Sequence, residues 1–183
     1  LTGLHVSASC SWRYGTSNQP NFDTGGPNAG SLTLNAPFEV SYNTVLRFDT
    51  WYTTEAHPDS DVKSIRIAIV TKDAAGQDQI GTYQTVAQIV GPGFGFNQPP
   101  HGAHPSFQFV EIQPAQRPGG VPRFVTVEIH LGGFSGQRVL IEFGFDTITE
   151  FANKGEGWFL DDIVVEGAAT RTILVATTEI VGG

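Results

Sequence analysis

The sequence lacks what several common protein classes need. Its 183 residues include one cysteine, Cys10, and no methionine. A single cysteine cannot close an intrachain disulfide, and a cysteine-rich zinc site is excluded for the same reason. No apolar run approaches the ~18 residues that cross a bilayer as a helix, so we expect no membrane span. The chain also opens at Leu1 without a signal region, which is typical of a mature, already processed chain.

Positive charge is scarce as well. Lys and Arg together number 10 against 18 Asp and Glu, and the formal net charge is −8. A surface of that sign repels phosphate backbones, so we expect no nucleic-acid partner. Charged residues make up 15% of the chain, where about 25% is usual, and this leaves little material for solvated helix faces.

The chain is rich in turn residues and in short strand patterns. It contains 22 glycines and 11 prolines. Apolar Val125, Val127 and Ile129 alternate with polar Thr126 and Glu128, which is the period of a half-buried strand. The segments predicted as strands are 31–42, 45–53, 65–69, 80–90, 107–113, 125–131, 139–145 and 158–166. We therefore expect an all-β fold, an antiparallel two-sheet β-sandwich of the jelly-roll type.

Several motifs resemble one family of secreted modules. Residues 157–163 read GWFLDDI, with Trp12, the run 28–33 and the segment 46–55 upstream. These motifs are similar to those of MAM-like domains and immune-inhibitor-A-type bacterial jelly rolls, which share a G-W-x-x-D-D-I ending. The resemblance covers roughly residues 12–166 and implies an extracellular protein. It is informative about fold and not about function, because such modules occur in proteases, glycanases, adhesins and surface fibres.

The resemblance also implies a structural calcium ion. Adjacent Asp161 and Asp162 must face opposite sides of their strand, and an inward carboxylate is costly unless it is paired or bound to a cation. The candidate ligands are Asp23, Glu55, Asp61 and Asp161. Alternatively, Glu55 and Asp61 are solvated and Asp161 accepts hydrogen bonds from backbone amides. If calcium is bound, chelation lowers the melting temperature.

Catalytic motifs are absent from the sequence. There is no G-x-S-x-G, no H-E-x-x-H and no phosphate-binding P-loop. His101 and His104 lie three apart on a proline-flanked loop without a third ligand, which does not favour zinc. Two acids could still meet across a cleft for glycoside cleavage, but the large groove expected around them has no counterpart in this chain. We therefore expect a protein that is not an enzyme.

The C-terminal tail departs from the family pattern. We expect a jelly-roll domain over residues 1–166 and an extension over 167–183, in which 170–181 is β-branched and apolar on both faces. Such a strand must be covered, because in water it is an aggregation hazard. It either pairs at the edge of its own sheet or crosses a small-residue hinge at 167–169 and adds a strand to a neighbouring copy. The residues assigned to assembly are Ile173, Leu174, Val175, Ala176, Ile180 and Val181.

Two functional classes follow. The leading hypothesis is an extracellular, adhesive or structural homopolymer, a fibre or matrix subunit that donates its tail strand head to tail, because a heterologous contact that does not close propagates. The alternative is a carbohydrate-binding module, or an accessory domain of a secreted hydrolase, that stacks exposed rings on a polysaccharide. Its candidate contacts are Tyr83, Phe94 and Phe96, the last two in the strandless insertion 91–105. Trp51 and Trp158 match motif positions expected to pack in the core.

Overall fold

A computed structural model describes residues 11–15, 21–95, 97–113, 115–117, 121–168 and 176–181, of which 115–117, 121–122 and 176–181 are described by their backbone. The strands are β1 (Trp12–Tyr14), β2 (Ala29–Leu34), β3 (Phe38–Glu39), β4 (Val45–Tyr52), β5 (Val62–Lys72), β6 (Asp78–Ile80), β7 (Gln84–Val90), β8 (Gln108–Glu111), β9 (Ala115–Arg117), β10 (Val121–Arg123), β11 (Val125–His130), β12 (Arg138–Asp146), β13 (Trp158–Glu166) and β14 (Ala176–Val181). The only helical element in these ranges is a 3-10 turn at Gly132–Phe134. No helix in the described ranges has the length and apolar character of a membrane span.

Two multi-stranded sheets form the fold. The smaller sheet has the order β1-β13-β4-β11, and the larger sheet runs β14-β2-β12-β5-β7-β8, with β3 and β6 paired off this path to β12 and β5. β9 and β10 form a separate hairpin. The described pairings are antiparallel except that of β7 with β8, which is parallel. The prediction of an all-β two-sheet sandwich is confirmed.

The core lies between the facing sides of the two sheets. Along β12, Val139, Ile141 and Phe143 are buried at alternate positions, as the period-two pattern predicts. Phe143 meets Phe48 of the smaller sheet edge to face, with ring centroids 5.1 Å apart. Each such side chain stabilises the fold by about 1.5–3 kcal/mol relative to an exposed one. Of the two tryptophans predicted to pack in the core, Trp158 belongs to the buried core. Trp51 is buried too, but it lies opposite Phe159 on the other face of the smaller sheet.

Three predicted strands are interrupted. The segment predicted at 80–90 divides between β6, which ends at Ile80, and β7, which begins at Gln84. The segment predicted at 31–42 breaks after Leu34, because Pro37 cannot donate to a ladder, and only Phe38–Glu39 resumes pairing. The segment 158–166 carries a register shift between Asp161 and Val164. At this irregularity Asp162 has a φ of +46°, so simple alternation of the two acids does not apply.

Candidate functional site

The outer edge of the larger sheet is the first candidate site. β14 is the outermost of the described strands there and pairs antiparallel with β2 through six positions, from Ala176 opposite Leu34 to Val181 opposite Ala29. The pairing is within the chain, which is one of the two outcomes that the sequence left open. Among the described strands β2 is the single neighbour of β14, whereas β2 itself is also paired with β12.

The residues assigned to assembly divide between described and undescribed parts of the chain. Ala176, Ile180 and Val181 belong to β14. Ile173, Leu174 and Val175 lie outside the described residues. The strand prediction is thus supported for the second half of the tail.

An apolar cleft opens between the two sheets at this same edge. Its lining includes Tyr14 from β1, Leu32 from β2, and Phe143 and Phe145 from β12. Gly30 of β2 also lines the cleft, and β14 places position 180 directly opposite it and position 178 opposite Leu32. β14 therefore closes the hydrogen-bonding edge of β2 where that strand borders the cleft.

The chain is anchored immediately before the tail, at Gly167. Its carbonyl oxygen accepts hydrogen bonds from Ser41 Oγ at 2.7 Å and from Thr44 Oγ1 at 3.1 Å. Its φ is +70°, and a Cβ at this position would lie 2.7 Å from the carbonyl oxygen of Asn43. A glycine is required here, because both the backbone conformation and the space exclude a side chain. The tail consequently departs from a fixed point, since β13 ends at Glu166.

The second candidate site surrounds Lys63, at the opposite end of the sandwich. This side chain is 1% exposed. Its ammonium donates to the carbonyl oxygens of Asp61 and Glu55, at 2.7 and 2.8 Å, and to Thr54 Oγ1 at 2.8 Å. Burial lowers the pKa of Lys63 to about 7, and the carboxylates of Asp61 and Glu55 oppose that shift.

One aromatic ring, that of Tyr52, and one acidic group, that of Asp61, complete the surroundings of this ammonium. The ring centroid of Tyr52 lies 4.6 Å from Lys63 Nζ, and the hydroxyl of Tyr52 donates to the carbonyl oxygen of Ile112 at 3.0 Å, which holds the ring. Asp61 is fully buried and has a φ of +46°. Its Oδ2 accepts the backbone N–H of Glu55 at 2.8 Å, whereas Oδ1 is buried without a hydrogen-bond partner in the described residues. Burial raises the pKa of Asp61.

The predicted calcium ligands do not form one donor set. Asp23 Oδ1 accepts the N–H of Gly25 at 2.9 Å within its own turn, and Asp161 Oδ1 accepts the N–H of Asp162 at 2.8 Å. Across the described residues, no three or more His, Cys, Asp or Glu side chains are grouped so that they could hold a metal. Where Glu55 and Asp61 do come together, the ammonium of Lys63 lies among their oxygens. Calcium therefore stays a prediction, and at Glu55 and Asp61 the ammonium of Lys63 occupies the space among the oxygens.

The sequence predicts that one of the adjacent acids Asp161 and Asp162 points into the core, but Asp161 does not face the core. It is buried and lies opposite Asp49 on β4. Because side chains alternate along a strand, Asp161 shares its face of β13 with Phe159, and the core residues Trp158 and Leu160 occupy the other face. Asp162 is exposed.

The predicted glycan contacts are partly covered by protein. Tyr83 is half-buried beside the guanidinium of Arg66, whose Cζ lies 5.9 Å from the ring centroid. Phe94 is half-buried against His57, with ring centroids 4.9 Å apart. Phe96 lies outside the described residues. The structure thus gives Tyr83 and Phe94 different partners and does not assemble them into one described platform.

Two exposed aromatic side chains were missed by sequence reasoning. Tyr42 is 81% exposed and Phe151 is 73% exposed. Both lie in segments between strands, where neither alternation nor motif singles out an aromatic residue. The available signal was their position beside turn residues, which is compatible with exposure but does not require it.

Comparisons with protein-family models, with curated proteins and with solved structures give no significant match. The resemblance to MAM-like modules therefore stays a prediction that depends on the motifs alone. Function has to be argued from the geometry of the described residues.

Proposed function

We propose that this protein is a non-enzymatic, extracellular structural subunit that forms a homopolymer by exchange of the strand β14. The observation that carries the proposal is the position of β14, outermost among the described strands and paired there with β2 alone. In the assembly, β14 of one copy pairs with β2 of the next copy in the register seen within the chain. The extracellular location follows from the resemblance to secreted modules.

Exchange of this strand keeps its contacts. The six paired positions between β14 and β2 are identical whether the two strands belong to one chain or to two. If β14 leaves without replacement, β2 becomes an open edge beside an apolar cleft, which is an unfavourable state in water. The β14 strand of a neighbouring copy can pair with this open edge in the same register and cover it again. Because donor and acceptor surfaces differ, the contact is heterologous and propagates unless a ring closes.

The length of the connection limits the arrangement of neighbours. β13 ends at Glu166 and β14 begins at Ala176, which leaves nine intervening residues. Extended chain covers roughly 3.5 Å per residue, so these two positions can be at most about 35 Å apart. Leu34 of the acceptor is opposite Ala176 and must lie within the same reach of the donor's Gly167 anchor. The connection therefore limits how far the acceptor edge of one subunit can lie from the Gly167 anchor of the next.

A cysteine pair across the two strands tests this function. Glu179 lies opposite Ser31 in the β14–β2 register. We expect Ser31→Cys with Glu179→Cys, in a Cys10→Ser background, to give a ladder of covalent multimers when the assembled protein is oxidised and run on a non-reducing gel. Exchange joins every subunit to the next, and so the ladder extends beyond the dimer.

The matched control is Glu179→Cys alone in the same background. A single cysteine per chain can link two chains and no more, so this variant gives no species above the dimer. If the double variant oxidises only to intrachain-linked monomer at every protein concentration, β14 stays in its own domain and the proposed function is wrong.

A further inference from the structure

The surroundings of Lys63 have the composition of a cation site. Two backbone carbonyls and one hydroxyl are directed at a single point, within 2.7–2.8 Å of the nitrogen. Carbonyl, hydroxyl and carboxylate oxygens are the donors that hard cations take in proteins. The three N–H groups of the ammonium are matched by these three acceptors, so Lys63 is fully hydrogen-bonded despite its burial.

The carboxylates of Asp61 and Glu55 both favour the positive charge of this buried group. Asp61 supplies a carbonyl oxygen to Lys63 and also carries a carboxylate that is fully buried. Oδ1 of that carboxylate, buried and without a hydrogen-bond partner in the described residues, is an acceptor still open to a cation. A buried carboxylate without a compensating positive charge is strongly unfavourable, so a cation at this loop stabilises the ionised form of Asp61.

We propose that the segment 54–61 forms a cation cradle, made by Thr54 Oγ1 and the carbonyl oxygens of Glu55 and Asp61, with the buried Asp61 carboxylate nearby, and that the chain fills this cradle with its own ammonium. Lys63 thus occupies the place that an external ion would take. Without the lysine side chain, the cradle binds a small external cation that prefers oxygen ligands.

This arrangement offers an alternative to the calcium ion predicted at Glu55 and Asp61. Glu55 and Asp61 were predicted as calcium ligands because acidic residues are close together in this part of the sequence. Their backbone carbonyl oxygens do come together, around the ammonium of Lys63. The positive charge is the ammonium of Lys63 on β5 of the same chain. A second cation at the same oxygens would be repelled by it. The loop consequently needs no calcium from the medium. The inference is independent of strand exchange, because the cradle and the Gly167 anchor lie at opposite ends of the sandwich.

The test compares Lys63→Ala with Lys63→Met. The alanine variant leaves both the space and the uncompensated carboxylate, whereas methionine fills the space with an uncharged chain of similar length. We expect Lys63→Ala to melt below the wild type and to regain several degrees in ammonium chloride or calcium chloride. Tetramethylammonium chloride at equal ionic strength, whose cation is too large for the cradle, gives no such gain. A ligand that binds the folded state alone raises stability with its concentration.

The outcomes separate clearly. The melting temperature of the wild type and that of Lys63→Met are each expected to be the same in all three salts. If Lys63→Ala responds equally to all three salts, or if the wild type gains as much from calcium as the variant does, the cradle is not a cation site.

A measurement on the unaltered protein covers the case in which Lys63→Ala does not fold. The sequence contains three lysines, and Lys72 and Lys154 are exposed. In ¹⁵N-lysine protein near pH 6, we expect one slowly exchanging ammonium signal, from Lys63, while the two exposed ammonium groups exchange rapidly. Thr54→Val removes one acceptor and should accelerate the exchange of this signal. If no ammonium signal is protected in the wild type, the cradle does not hold the ammonium and the inference fails.

Discussion

A chain that ends at Gly167 is expected to remain monomeric at concentrations at which the full chain forms long polymers. The truncation removes β14, the only segment that the account allows to pass from one copy to the next. The terminal carboxylate of Gly167 can still accept the hydrogen bonds of Ser41 and Thr44, so the chain stays anchored there while the β2 edge is left open. Sedimentation velocity of the two chains side by side measures the difference, with loss of assembly expected to be complete.

A synthetic peptide of residues 170–183 extends this experiment. It should bind the truncated chain one to one, because the β2 edge is vacant, and it should shorten polymers of the full chain by capping them. A peptide of scrambled sequence is the control, since it keeps composition and length but not the register. Polymers formed by the truncated chain itself would contradict the account.

Gly157→Ala is expected to cause a large loss of stability although it adds a single methyl group. Gly157 has a φ of +111°, and a Cβ there would lie 2.0 Å from the carbonyl oxygen of Tyr14. Its own carbonyl accepts the N–H of Thr53 at 3.0 Å, so the backbone is held on both sides. Relief of the clash requires β1 to move away from β13. We expect the free energy of unfolding to fall by about 3 kcal/mol or more, as measured in urea at equilibrium.

Gly136→Ala is the matched control. Gly136 has a φ of +80°, but a Cβ there meets no atom within 4 Å. The loss of stability in Gly136→Ala should be limited to the cost of placing alanine at a positive φ, about 1 kcal/mol. Equal losses for the two variants would show that the close approach of Tyr14 to Gly157 does not exist in solution.

The fold was largely predictable because its signal is local. Alternation over 139–145 predicted β12, which the structure extends only to Arg138–Asp146. The break at Pro37 was equally visible, since proline cannot donate to a ladder, and the predicted segment passed over it. The pairings of β14 with β2 and of β7 with β8 were not predictable, because partners far apart in the chain leave no local pattern.

Only part of the site around Lys63 could be predicted from the sequence. The acids Glu55 and Asp61 stood out as a cluster of oxygen donors on one loop. Lys63 did not, although it begins an inward-facing series with Ile65 and Ile67, and a lysine on the apolar face of a strand is itself a signal. The ammonium and its acceptors come together only because the loop folds back on the start of β5. Such closure depends on three-dimensional packing.

Assembly by strand exchange requires β14 to leave its own domain, and a reversible disulfide between β14 and β2 tests this requirement. Chains carrying Ser31→Cys and Glu179→Cys in the Cys10→Ser background are oxidised while dilute, and the intrachain-linked monomer is purified. It is then concentrated and imaged by negative-stain electron microscopy before and after reduction. The account predicts filaments only after reduction, when β14 is released. Filaments of the oxidised, locked monomer would contradict it, because assembly would then proceed without strand exchange.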